Sequence, residues 1–74
     1  MQHDNEDLLK LGNYIKTLRL DRKLTIRMLC YNKGLGLEPS TISRIEQGIV
    51  DPKYLTLLKI AEALDIEIKD LLNF

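Results

Sequence analysis

Seventy-four residues suffice for one small hydrophobic core and leave no room for a second. A hydrophobic fraction of 45% excludes a disordered chain, and no apolar run approaches the ~18 residues of a membrane span or forms a signal peptide. Eleven basic residues balance eleven acidic ones, and the single cysteine, Cys30, excludes an internal disulfide and a zinc site, which suits a reducing cytoplasm.

Helical periodicity runs along the chain, with almost no strand-like alternation. Leu8, Leu11, Ile15 and Leu18 predict a first helix over residues 5–21. Asp4 or Asn5 is placed to cap it, and Glu6 and Asp7 suit the positive end of its dipole. Thr25 is a good cap for a second helix over residues 26–32, with Leu29 and Cys30 facing inward. Gly34 and Gly36 then break the chain.

The most informative stretch follows, Pro39-Ser-Thr-Ile-Ser-Arg-Ile-Glu-Gln-Gly48. Pro39 suits the first helical position, where its missing N–H costs nothing, and Gly48 suits the left-handed residue that ends a helix. At about 100° per residue, Ile42, Ile45 and Ile49 fall on one side. Ser40, Ser43, Arg44 and Gln47 fall on the other. A helix this short must be held by its neighbours.

Asp51-Pro52 restarts the chain into a fourth helix over residues 53–64, with an inner face of Tyr54, Leu57, Ile60, Ala61 and Leu64. A last turn or two over residues 69–73 has Leu71 and Leu72 at its centre. Five short helices with brief connections predict a compact all-α domain. Residues 1–7 read as an acidic N-terminal segment and residues 8–74 as the domain.

The zero net charge hides a segregation. Asp4, Glu6 and Asp7 give residues 1–7 a charge of −3. Residues 8–59 hold ten lysines and arginines against Asp21, Glu38, Glu46 and Asp51, a net of +6. Residues 60–74 hold Lys69 against Glu62, Asp65, Glu67 and Asp70, a net of −3. A basic middle carrying hydroxyls, an amide and a guanidinium on one helix face fits a polyanion whose base edges can be read.

Catalysis is not indicated. His3 is the one histidine, and no Ser-His-acid set, metal-ligand cluster or phosphate-cradling glycine loop accompanies it. Gly34-Leu-Gly36 is too short for a dinucleotide fingerprint and follows a helix instead of a strand. Tyr14, Tyr31 and Tyr54 read as packing residues and Cys30 as a buried, inert thiol. No cofactor and no small-molecule ligand are expected.

The chain resembles the lambda-repressor-like, Cro-type (XRE) helix-turn-helix family from Leu11-Gly12 to Leu71-Leu72. The matching pieces are Leu11-Gly-x-x-Ile15, Leu18-Arg19, Leu24-Thr25-x-x-x-Leu29, Ile42-Ser-Arg-Ile-Glu-x-Gly48, Pro52 and Thr56-Leu-Leu-Lys-Ile-Ala-x-Ala-Leu64. The resemblance implies a five-helix fold in which the third helix lies in the major groove of double-stranded DNA and the second crosses it. Pro39, Ser40, Ser43 and Arg44 then occupy base-reading positions, with Ser40 and Arg44 the leading pair. It implies a partly buried ion pair between Arg19 and Glu46. Phosphate contacts are expected from Thr25, Arg27, Gln47 and Lys53, with Arg22, Lys23 and Tyr54 as further candidates.

Three features depart from the family pattern. Ile26 opens the second helix where the family usually has a phosphate-touching glutamine. The interval from Cys30 to Ile42 is two residues longer than usual, so either the second helix runs on or the connection bulges. Leu55 stands where a charged residue is normal, beside Leu58, and with Ile68, Leu72 and Phe74 it suggests a two-fold dimer interface.

The expected function is a sequence-specific transcriptional regulator, a homodimer on an inverted-repeat operator with half-sites roughly 34 Å apart. With no ligand or protease domain attached, control would come from concentration, operator cooperativity or a partner. Small regulators of phages, mobile elements and restriction–modification operons look like this. The alternative is an antitoxin or bridging module that uses the same fold to bind protein.

Overall fold

A computed structural model describes residues 3–74, with side chains from residue 6 onward. Its helices are α1 (His3–Asp21), α2 (Ile26–Tyr31), α3 (Pro39–Glu46), α4 (Tyr54–Ala63) and α5 (Ile68–Leu71), and no strand occurs among the described residues. α1 and α2 both pack on α3, while α4 packs on α2 and α5. No helix among the described residues is long and apolar enough to cross a membrane.

The helix ends explain how so short a chain makes five elements. Thr25 Oγ1 accepts the Met28 N–H at 3.0 Å and starts α2. α1, α3 and α4 each end on a residue in the left-handed region: Lys23 (φ 58°), Gly48 (φ 75°) and Asp65 (φ 60°). After α3 the Gly48 N–H reaches the Ile45 carbonyl at 3.0 Å and the Ile49 N–H reaches that of Arg44 at 3.2 Å, the paired bonds of a Schellman turn.

The core is one cluster. Ile15 of α1, Leu29 of α2, Ile42 and Ile45 of α3, Ile60 of α4 and Leu71 of α5 have at most 2% of their surface exposed. Each fully buried aliphatic side chain contributes about 1.5–3 kcal/mol, so Ile42 and Ile45 supply what an eight-residue helix lacks alone. α1 approaches α3 closely because Gly12 has no side chain there. A Cβ on Gly12 would lie 2.7 Å from the Glu46 carbonyl oxygen and nearer still to that of Ile45.

Several local expectations are corrected. α1 is already helical at His3, so Asp4 and Asn5 lie in its first turn and do not cap it. Ile49 is not part of the apolar side of α3. The turn at Gly48 takes it out of the helical register, and it is 63% exposed. Tyr54 is 58% exposed at the start of α4 instead of lining the inner face.

Of the two accommodations of the longer turn, the connection takes up the extra pair. α2 stops at Tyr31, and Gly34 (φ 63°) and Gly36 (φ 79°) turn the chain, with open space where their side chains would be, while Leu35 between them packs against the core. Leu37 then returns to the core and anchors the approach to α3.

Candidate nucleic-acid interface

α3 presents its polar side outward while its isoleucines face the core. Ser40, Arg44 and Gln47 are exposed, and Pro39 and Ser43 are half-buried. Gln47 Nε2 donates to Ser43 Oγ at 3.0 Å, one helical turn apart. Ser40 and Arg44 are likewise one turn apart. No loop hydrogen bond covers either side chain among the described residues. Glu38 precedes the helix in an extended conformation but makes no side-chain capping bond.

Arg44 shares a shallow cleft with Lys53, where Thr41 and Thr56 add hydroxyls and Asp51 adds a carboxylate. Thr41 and Thr56 were not among the residues expected from the sequence. Both fall between the strong apolar and charged positions, where periodicity carries no signal. Lys53 is the extended residue just before α4, and Thr25 the one just before α2. Thr25 Oγ1 is already engaged as an acceptor in the cap, which leaves its hydroxyl hydrogen for a phosphate. Arg27 is exposed on α2 and is not among the residues lining the Arg44 cleft.

One further basic candidate has different work. Arg22 Nε donates to the Leu64 carbonyl at 3.0 Å and its terminal nitrogen to Leu18 at 3.0 Å, so its guanidinium ties the ends of α1 and α4 together. Asn32 Nδ2 donates to the Ala63 carbonyl at 3.0 Å, and Lys33 pairs with Asp65. Three donor side chains thus converge on the carboxyl end of α4, where a helix dipole favours positive charge. Periodicity gives no sign of this clamp, because its partners are up to 42 residues apart.

Behind the polar side of α3 lies the pair of Arg19 and Glu46, both buried. Arg19 Nε donates to Glu46 Oε2 at 2.7 Å and its terminal nitrogen to Oε1 at 3.0 Å. The other terminal nitrogen donates to the Leu24 carbonyl at 2.7 Å. The hydrogen bond to Glu46 raises the Arg19 guanidinium above its ordinary range, burial opposes this, and the Glu46 charge adds to the rise. Cys30 is buried nearby, and burial, then the charges of Glu46 and Glu38, push its thiol upward.

Comparison with known proteins matches this arrangement. A helix-turn-helix family model covers residues 15–71. The restriction-modification controller protein C.AhdI from Aeromonas hydrophila superposes with a TM-score of 0.82 at 33% identity, over 89% of this chain and 97% of that one. A search of curated proteins finds no match. The family match over most of the chain, the superposition and the outward polar side of α3 lead to one conclusion: the chain belongs to the XRE-type helix-turn-helix family of sequence-specific DNA-binding transcriptional regulators.

Proposed function

We propose that the protein works as a homodimer that places α3 of each protomer in successive major grooves of an inverted-repeat operator, within the cytoplasm. The observation that carries this reading is the two-sidedness of α3, with Ile42 and Ile45 buried and Ser40, Arg44 and Gln47 exposed. Arg44 is assigned to a guanine, whose O6 and N7 match the guanidinium fork, and Ser40, Ser43 and Pro39 to the neighbouring base edges. Thr25, Arg27, Gln47 and Lys53 are assigned to phosphates on either side, where they fix register without reading sequence.

The dimer is assigned to α4 and α5. Leu55 is 69% exposed, Leu72 and Phe74 are also exposed, and Leu58 and Ile68 are half-buried beside them. In such a dimer the two α3 helices would stand roughly 34 Å apart, one turn of the duplex. The likeness to a restriction-modification controller protein supports a role of the same kind.

Selection of bound fragments from random duplex DNA, then titration of the selected and a scrambled duplex at two salt concentrations, tests the reading. The selected duplex should bind at least about 1,000-fold more tightly than the scrambled one, and both affinities should fall with salt. Binding that shows neither preference nor salt dependence would overturn it in favour of a protein-binding module.

A further inference from the structure

An open groove runs between α1 and α3 beside the polar side of α3, lined by Asn13, Lys16, Ile26, Ser43 and Gln47. Its floor holds Arg19 and Glu46, whose charges cancel in the buried pair. The sign of the groove is therefore set by Lys16, an exposed lysine on α1. Asn13 lies one turn before Lys16 and adds a neutral donor. Ile26, half-buried at the start of α2, forms an apolar wall and brings no side-chain donor.

We infer that this groove is a phosphate site for the bound duplex, with Lys16 as its charged contact and Asn13 as its neutral one. The inference rests on the proposed seating of α3. Ser43 and Gln47 form one wall of the groove and also belong to the polar side of α3, so a duplex seated there runs its backbone past the groove mouth. The contact comes from α1, since Ile26 at the start of α2 offers no side-chain donor. It is positional: an ammonium ion on a phosphate holds the protein in register and carries no base preference.

The test uses the full chain and the duplex selected as above, with affinities measured across a salt series. Lys16→Gln should lower affinity about 5- to 10-fold near 0.15 M salt. It should also flatten the slope of log K against log salt by about 0.9 per protomer, while the ranking of duplexes with single base-pair changes stays the same. Lys16→Arg should keep the slope. Lys10, on the same helix but about 120° around it and outside the groove, serves as control, and Lys10→Gln should leave the slope unchanged. An unaltered slope in Lys16→Gln, or equal flattening in Lys10→Gln, overturns the site. A wild-type protein with no preference for the selected duplex overturns the seating of α3 itself, a result distinguishable because it precedes any substitution.

Discussion

Arg19 and Glu46 stand 27 residues apart in the chain and meet in a two-pronged ion pair beneath the polar side of α3. The pair joins the end of α1 to the end of α3, and the bond from Arg19 to the Leu24 carbonyl extends it to the turn before α2. A buried charge is tolerable only while its partner remains. Glu46→Gln should therefore cost about 3 kcal/mol and lower the melting temperature by about 10–20 °C. The double variant Arg19→Met, Glu46→Leu should recover much of that loss. Thermal melts of both singles and the double decide the matter: additive effects would mean that the two side chains are not coupled. Raised above its usual range, Arg19 stays charged through neutral and moderately alkaline pH, so its share of the pair's stability is lost only at pH above the guanidinium range.

Gly12 controls a second relationship, the depth at which α3 sits against α1. A methyl group there meets backbone carbonyls of Ile45 and Glu46, which cannot swing aside as a side chain would. Gly12→Ala should destabilise the fold by about 1–3 kcal/mol, net of the helix propensity that alanine adds. Because α3 must be displaced to admit the methyl, operator affinity should fall even under conditions where the variant is fully folded. Chemical denaturation and a binding titration on the same sample test both halves.

Arg22 makes a contrasting prediction for a basic residue near the start of α2. Its guanidinium is engaged by the Leu18 and Leu64 carbonyls, so Arg22→Gln should cost about 1 kcal/mol of stability. The salt slope of operator binding should stay the same. A flattened slope with unchanged stability would instead make Arg22 a phosphate contact.

Association is testable at the α4–α5 surface. Leu55→Glu places a charge in the proposed two-fold contact, opposite its own copy or close to it, while adding nothing to the interior of a protomer. Light scattering after size-exclusion chromatography should show a dimer for the wild type at tens of micromolar and a monomer for the variant. Operator affinity should fall by more than about 10-fold as the second half-site is lost. A wild-type protein that runs as a monomer throughout would reject the dimer.

Much of the fold was legible because its determinants are local. Isoleucines at helical spacing, Pro39 at a first position and Gly48 at a last one specify α3 almost by themselves. The misplacements have local causes too. Ile49 continues the apolar spacing on paper, but the left-handed turn at Gly48 breaks the 100° rotation on which that count depends. Tyr54 counts as apolar in a periodic pattern, yet its position at the first turn of α4 keeps its ring at the surface. The clamp of Arg22, Asn32 and Lys33 on the end of α4 was not legible, since nothing in a single sequence marks which carbonyl a distant side chain will reach. The groove at Lys16 was hidden for the same reason: it exists only once α1 and α3 are packed.

Amide chemical shifts of this 74-residue chain, followed by nuclear magnetic resonance as selected operator duplex is added, test the central claim most directly. The largest changes should cluster at residues 39–47 and at the mouths of α2 and α4, with Ile15, Leu29 and Ile60 in the interior little affected. Shifts confined to α4 and α5, with the outer side of α3 unmoved, would contradict a DNA-reading role for that helix.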